Sequence, residues 1–171
     1  MRTFLINSER SPMTGISGSV SVPDVDSAPK SFEALDLETF THCAPILISD
    51  NEPQITRLYE VLMSRLRLRT VSVPDSKAAL EYMLKRPVSL VISEIVKPNI
   101  SGLEMLKALR QDLTTIDVPF MVITANPDYE SRMAFKALGG NAYLTKPLNT
   151  QQFTQTVIQL LSAELSVEPT Q

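Results

Sequence analysis

Four polar side chains stand at the ends of short apolar runs in this sequence. Asp50 follows the first run, Glu94 follows the third, Thr124 closes the fourth and Lys146 follows the fifth. Carboxylates bind divalent cations such as Mg²⁺, whereas hydroxyl and ammonium groups bind the oxygens of a phosphoryl group. If the fold brings these four residues together, their types predict a magnesium and phosphoryl site.

The apolar runs are rich in β-branched residues and alternate with longer segments of helical period. They predict strands at 45–49, 69–73, 89–93, 119–124 and 142–145. Helical patterns follow them, with the fourth and fifth helices predicted at about 129–138 and 150–164. The stripe predicted to be buried on the first helix consists of Ile55, Leu58, Leu62 and Leu66.

Five such βα units predict an α/β fold, a doubly wound five-stranded parallel sheet with five helices on its two faces. In such sheets ligands bind beyond the carboxyl ends of the strands, at the point where the strand order reverses. We therefore expect Asp50, Glu94, Thr124 and Lys146 to converge on one crevice.

Composition narrows the class of protein. The chain has 171 residues, 43% of them hydrophobic, which suffices for one ordinary domain with a tail. Cys43 is the only cysteine, so no internal disulfide can form. With the neighbouring His42 it offers only two ligands, which does not suggest a metal site without further ones. No apolar run approaches the ~20 residues of a membrane span, and the N-terminal apolar run is too short for a secretory signal. A cytoplasmic protein is predicted.

Charge and composition divide the chain into three parts. Residues 1–43 hold three basic and six acidic side chains and form a predicted acidic extension, disordered except for a short amphipathic helix at 31–42. Residues 44–165 form the predicted domain, and 166–171 form a short tail. The residues after 43 hold thirteen charges of each sign, which does not favour nucleic-acid binding. Four arginines near the first helix are predicted to form a solvated face: Arg57, Arg65, Arg67 and Arg69.

Residues 44–165 resemble the receiver domain of bacterial two-component response regulators. The segments that carry the resemblance occur in the family's order, at 46–55, 90–104, 122–125 and 142–147. The resemblance implies the strand order 2-1-3-4-5 and a phosphoacceptor at Glu94. It also implies a cation held at positions 51 and 94 and by the backbone carbonyl of Val96, phosphate contacts from Thr124 and Lys146, and a switch aromatic at Tyr143.

Two positions depart from the family. The acceptor is Glu94 where the family has Asp, and Asn51 stands beside Asp50 where the family has a second acid. Asn51 offers a neutral oxygen, so magnesium at Asp50, Glu94 and Val96 is predicted to be weak or absent and no cofactor is expected. The extra methylene of Glu94 moves its carboxylate about 1.5 Å further out, which can cost on the order of 10²-fold in phosphoryl transfer. Two alternatives remain open: Glu94 imitates phosphorylation by pairing with Lys146 or bonding Thr124, or the cluster is only an inherited polar one.

These observations predict a single-domain atypical response regulator, a pseudo-receiver that signals by protein contact and is not an enzyme. Its predicted partner is a sensor kinase, regulator or effector, or a second copy of the chain, and no membrane is expected. The predicted partner face joins the fourth helix, fifth strand and fifth helix and includes Arg132, Lys136 and Tyr143. Two alternatives are a working phosphoacceptor in a phosphorelay and a nucleic-acid-associated regulator that uses the arginines near the first helix.

Overall fold

The computed structural model describes residues 43–165. The strands are β1 (Ile46–Ser49), β2 (Thr70–Val73), β3 (Leu90–Ser93), β4 (Phe120–Thr124) and β5 (Ala142–Thr145). The helices are α1 (Pro53–Arg65), α2 (Ser76–Met83), α3 (Gly102–Leu109), α4 (Tyr129–Ala137) and α5 (Thr150–Leu165). Two predicted parts of the chain lie outside the described residues. They are the N-terminal extension as far as His42, with the helix predicted at 31–42, and the tail at 166–171.

The five strands form one parallel sheet in the order β2-β1-β3-β4-β5. The predicted fold class and strand order are confirmed. The first four strands each begin one residue later than the apolar pattern predicts, at Ile46, Thr70, Leu90 and Phe120. Two of the omitted residues are Pro45 and Pro119, and proline has no N–H to donate to a sheet ladder.

Helices cover both faces of the sheet. On one face α1 contacts α5, and on the other α2 contacts α3 and α3 contacts α4. Every residue of β1, β3 and β4 is buried, as expected for central parallel strands with helices on both sides. The core on the α2–α4 face is built around Leu47, Val91, Met105, Phe120 and Phe135.

The buried face of α1 differs from the prediction. Its buried residues are Tyr59, Leu62 and Met63, whereas Leu58 is 37% exposed. The ring of Tyr59 stacks on that of Phe153 in α5, with 5.2 Å between the ring centroids. Of the predicted stripe, Leu62 is buried and Ile55 and Leu66 are half-buried, so the prediction was wrong only at Leu58, beside which Tyr59 takes the buried position.

Among the helices of residues 43–165, none has both the length and the apolar character needed to cross a bilayer. Cys43 is a free, half-buried thiol. In the same part of the chain, no group of three or more His, Cys, Asp and Glu side chains is arranged to hold a metal ion.

Candidate functional site

The predicted site lies at the carboxyl ends of the central strands. β1 and β3 are neighbours, with Ser49 in register with Ser93, so the residues that follow them, Asp50 and Glu94, emerge side by side. Lys146 follows β5 on the far side of β4. The structure joins Asp50, Glu94 and Lys146 in one cluster that also includes Glu52, and we call these four residues the acidic crevice.

Lys146 connects the three carboxylates of the acidic crevice. Its Nζ lies 2.7 Å from Glu52 Oε1, 3.2 Å from Glu94 Oε2 and 3.5 Å from Asp50 Oδ2. The side chains of Asp50 and Glu94 are only 2% and 7% exposed, whereas that of Glu52 is 56% exposed. Lys146 therefore compensates two buried charges, and its bond to Glu52 is the more hydrated one.

The remaining oxygens of the two buried carboxylates accept backbone hydrogen bonds. Asp50 Oδ1 accepts one from the N–H of Glu52, at 2.9 Å. Glu94 Oε1 accepts one from the N–H of Ile95 at 2.7 Å and a longer one from the N–H of Val96 at 3.5 Å. Each of the four oxygens of Asp50 and Glu94 is thus engaged by a donor of the protein itself.

These surroundings shift two pKa values. Burial raises the pKa of Asp50 above its usual range, although the hydrogen bond from Glu52 and the charge of Lys146 act in the opposite direction. Burial by itself would lower the pKa of Lys146. The hydrogen bond to Glu52 and the charges of Asp50 and Glu94 outweigh it, so this pKa is raised and the ammonium stays charged at neutral pH.

The loop after Glu94 is held closely against the end of β3. The N–H of Gly102 donates to the carbonyl of Ile95 at 2.8 Å, and a Cβ at Gly102 would lie 2.5 Å from the carbonyl oxygen of Glu94. Only glycine allows this approach. Ser101 caps the following helix in a reciprocal capping box with Glu104, so α3 begins at a fixed point beside the site.

Other predicted site residues lie at the margin of the acidic crevice. Asn51 is exposed, and among residues 43–165 it contributes no hydrogen bond to the crevice. Val96 exposes 65% of its surface. Thr124 is fully buried at the end of β4, where its Oγ1 accepts a hydrogen bond from the N–H of Asn126. Within the described residues no hydrogen bond joins Glu94 to Thr124, so of the two bonds suggested for Glu94 the structure contains only the one to Lys146.

Tyr143 points its hydroxyl into the protein. The oxygen is buried and has no hydrogen-bond partner within the described residues. Its ring meets the edge of Phe135 at 5.5 Å, and the guanidinium of Arg132 lies 4.7 Å from the ring centroid. Burial raises the pKa of this phenol. Ring packing and the cation–π contact therefore hold the side chain in place.

The predicted partner face is exposed along α4. Arg132 and Lys136 are exposed, as are the apolar side chains Tyr129 and Met133 at 77% and 47%. Phe135 is the only fully buried residue of α4. This helix therefore offers both apolar and cationic groups to solvent.

The sequence analysis did not identify Lys97. Its Nζ lies beneath the acidic crevice, 2.7 Å from Ser49 Oγ, 2.8 Å from Ser93 Oγ and 3.3 Å from the carbonyl oxygen of Ser49. Burial lowers its pKa to about 8, while the charges of Asp50, Asp75 and Glu94 act to raise it. The available signal was a lysine three residues after the acceptor position, inside the loop that closes on Gly102.

Comparison with known proteins supplies the family. Residues 46–158 match the family model described as the response regulator receiver domain. The chain is 29% identical over 116 residues to the response regulator ArlR of Staphylococcus epidermidis, covering 68% of this chain and 52% of that protein. It is 29% identical over 107 residues to the probable transcriptional regulator ycf27 of Galdieria sulphuraria, covering 63% of this chain and 41% of the relative. The chain thus spans about half the length of these relatives.

Solved structures show the same fold. The signal receiver domain of an HD domain-containing protein from Pseudomonas fluorescens Pf-5 aligns with a TM-score of 0.68 at 26% identity, covering 72% of this chain and 98% of that one. The chemotaxis protein CheY4 of Vibrio cholerae aligns with a TM-score of 0.65 at 24% identity, covering 70% and 99%. With the family match extending from β1 into α5, the chain belongs to the response regulator receiver domain family.

Proposed function

We propose that this receiver domain acts in signal transduction by protein contact, as a pseudo-receiver that does not take a phosphoryl group on Glu94. The observation that carries the proposal is the engagement of all four oxygens of Asp50 and Glu94 by donors of the chain. In phosphoryl transfer the protein contributes mainly positioning and electrostatic stabilisation. Here the carboxylate oxygens that would position and stabilise the phosphoryl group already accept hydrogen bonds or ion pairs from the protein itself.

The residues present do not fit a divalent cation. Magnesium requires near-octahedral oxygen ligands at about 2.0–2.1 Å. The acid positions that would supply them are bonded to Lys146 and to backbone N–H groups, and Asn51 brings no charge. A bound cation would have to displace Lys146 from Asp50 and turn Glu94 away from its own loop. We therefore include metal independence in the proposal.

The acceptor carboxylate is also poorly placed as a nucleophile. Glu94 Oε1 is held by the N–H groups of Ile95 and Val96, and Oε2 is held by Lys146. Charge-assisted hydrogen bonds of this kind stabilise the carboxylate where it stands and must be broken before it can attack phosphorus. The same contact gives Lys146 an anion where a phosphoryl oxygen would otherwise bind, which supports the mimic of the phosphorylated state over an inert cluster.

We propose that output comes from the α4, β5 and α5 face, with Arg132, Lys136 and the ring of Tyr143 as members. Exposed aromatic and methionine side chains beside arginine are typical of protein interfaces. The proposed partner is another signalling protein, such as a sensor kinase, regulator or effector. A second copy of this chain is a further candidate, and analytical ultracentrifugation of the full chain tests it by measuring the oligomeric state. The cytoplasmic location stays a prediction.

The decisive experiment combines intact-mass analysis with tyrosine fluorescence, since the chain contains no tryptophan. The protein is incubated with magnesium and acetyl phosphate for mass, and with magnesium and beryllofluoride for fluorescence. The Glu94→Asp, Asn51→Asp double variant serves as the matched control because it restores both acids. We expect no added mass and no spectral change in the wild-type protein, and both changes in the double variant.

One added phosphate in the wild-type protein would establish the alternative, a working phosphoacceptor in a phosphorelay. Peptide mapping after borohydride trapping would then place the phosphate on Glu94 or elsewhere. No observation within residues 43–165 favours the nucleic-acid alternative, and salt-dependent DNA binding by the full chain would be needed to revive it.

A further inference from the structure

The ammonium of Lys97 lies on the paired ends of the two central strands. Ser49 and Ser93 are in register and are 0% and 1% exposed. Lys97 Nζ donates to both hydroxyls and to the carbonyl of Ser49. An ammonium has three N–H donors, and each has one acceptor here. This is a built site for one positive charge, unlike the solvated end of a surface lysine.

The site adjoins both buried acids. Asp50 directly follows Ser49, and Glu94 directly follows Ser93, whose hydroxyl also donates to the carbonyl of Glu94 at 2.8 Å. The carboxylates of Asp50 and Glu94 form their ion pairs with Lys146. Lys97 therefore acts on the two carboxylates through the electrostatic field of its ammonium and not through a direct ion pair. Such an interaction is stronger between buried charges than between exposed ones, because less solvent screens it.

The charges of the interior balance. Asp50 and Glu94 bring two buried negative charges, and Lys97 and Lys146 bring two positive ones, which equal the charge of one divalent cation. Glu52 is largely exposed and its charge is hydrated. A magnesium ion entering the acidic crevice would meet two ammonium groups already in place, and it would also have to lose part of its own hydration shell.

We infer that Lys97 is a resident cation that takes the place of a divalent metal beneath the acidic crevice, so that the strand ends are neutralised without any metal. The inference rests on the proposed function, which it deepens by naming the group that makes the crevice independent of metal. It predicts that removing this one charge restores a response to magnesium even though Asn51 and Glu94 are unchanged.

The test replaces Lys97 by Met in the full chain, because methionine is unbranched and of similar length but carries no charge. Lys107→Met, at an exposed lysine on α3, is the matched control. Thermal unfolding is followed with EDTA and with increasing magnesium chloride, at constant ionic strength. We expect the wild-type and Lys107→Met proteins to show the same Tm in all conditions. Lys97→Met should have a lower Tm in EDTA that rises with magnesium, over a concentration range in which the wild-type Tm does not change.

A Tm of the wild-type protein that rises with magnesium as much as that of Lys97→Met overturns the inference, and so does a Lys97→Met protein that ignores magnesium. Lys97→Arg keeps the charge and should remain insensitive. If Lys97→Met does not fold, Lys97→Gln removes the charge while keeping a donor for the serine hydroxyls, and the same comparison applies. Magnesium stabilisation of the wild-type protein would refute both the proposed metal independence and this inference. A Lys97→Met protein that ignores magnesium, beside a wild-type protein that neither responds to magnesium nor takes up phosphate, would refute this inference alone.

Discussion

Replacing Lys146 by Gln removes the ammonium that two buried carboxylates share. At the observed separations of 3.2 and 3.5 Å, each contact contributes about 5 kcal/mol of Coulomb attraction at an effective dielectric constant of about 20. Most of this is offset in the native protein by the cost of removing the charges from water. Removing one partner leaves that cost uncompensated at Asp50 and Glu94, so we expect a loss of about 3 kcal/mol in the free energy of unfolding at pH 7.

Urea unfolding followed by circular dichroism measures the loss, and the same variant should melt about 12 °C below the wild-type protein. Two controls separate the buried contacts from exposed ones. Glu52→Gln removes only the exposed partner and should cost less than about 1 kcal/mol. Lys136→Gln removes an exposed lysine of α4 and should change stability by no more than about 0.5 kcal/mol.

The effect of Lys146→Gln should depend on pH. Burial raises the pKa of Asp50 in the folded protein, and loss of the ammonium, which now stabilises the charged carboxylate, raises it further. A carboxyl group whose folded pKa exceeds its unfolded pKa binds protons better in the native state, so its contribution to stability falls as pH rises through that interval. The stability difference between wild type and variant should therefore narrow as pH falls from 7 toward about 4. A loss below about 1 kcal/mol at pH 7, or a difference that does not narrow in acid, would refute this account of the acidic crevice.

Three further substitutions test the structure around the site, each by urea unfolding. Gly102→Ala places a methyl group 2.5 Å from the carbonyl oxygen of Glu94 and should cost about 2 kcal/mol; a neutral effect would show that the loop can move away. Gly140→Ala places a methyl group in overlap with the outer ring atoms of Phe135 and should cost about 2 kcal/mol as well; a neutral effect would show that the ring can move aside. Ser101→Ala removes the N-cap of α3 and should cost about 1 kcal/mol, while Ser101→Thr should retain most of the stability; equal losses in the two would argue against the cap.

Local sequence patterns were sufficient for the elements and the parallel sheet, whereas the strand order 2-1-3-4-5 was an expectation from the resemblance to the receiver family. Alternation of β-branched runs with helical periods predicted five strands and five helices, and each prediction of a strand was correct to within one residue at its start. The same patterns placed Asp50 and Glu94 at strand ends, because residues that follow adjacent parallel strands must emerge at the same edge. The rotation of α1 was not predictable in this way, since Leu58 and Tyr59 are both apolar enough to be buried. The stacking of Tyr59 on Phe153, about ninety residues away in the chain, decided which of them is.

For the chemistry of the site, too, the residue types were informative and the contacts between residues were not predictable from sequence. Residue types alone predicted a weakened cation site at Asn51, because an amide carries no charge, and they established that Glu94 is longer than the acid expected there. Only the tertiary structure decided which groups these side chains meet. Long lysine side chains reach acceptors that are distant in sequence, and their direction depends on which strands are neighbours. The pairing of β1 with β3 placed the hydroxyls of Ser49 and Ser93 side by side, where both accept a hydrogen bond from Lys97. The position of β5 brought the ammonium of Lys146 to three carboxylates.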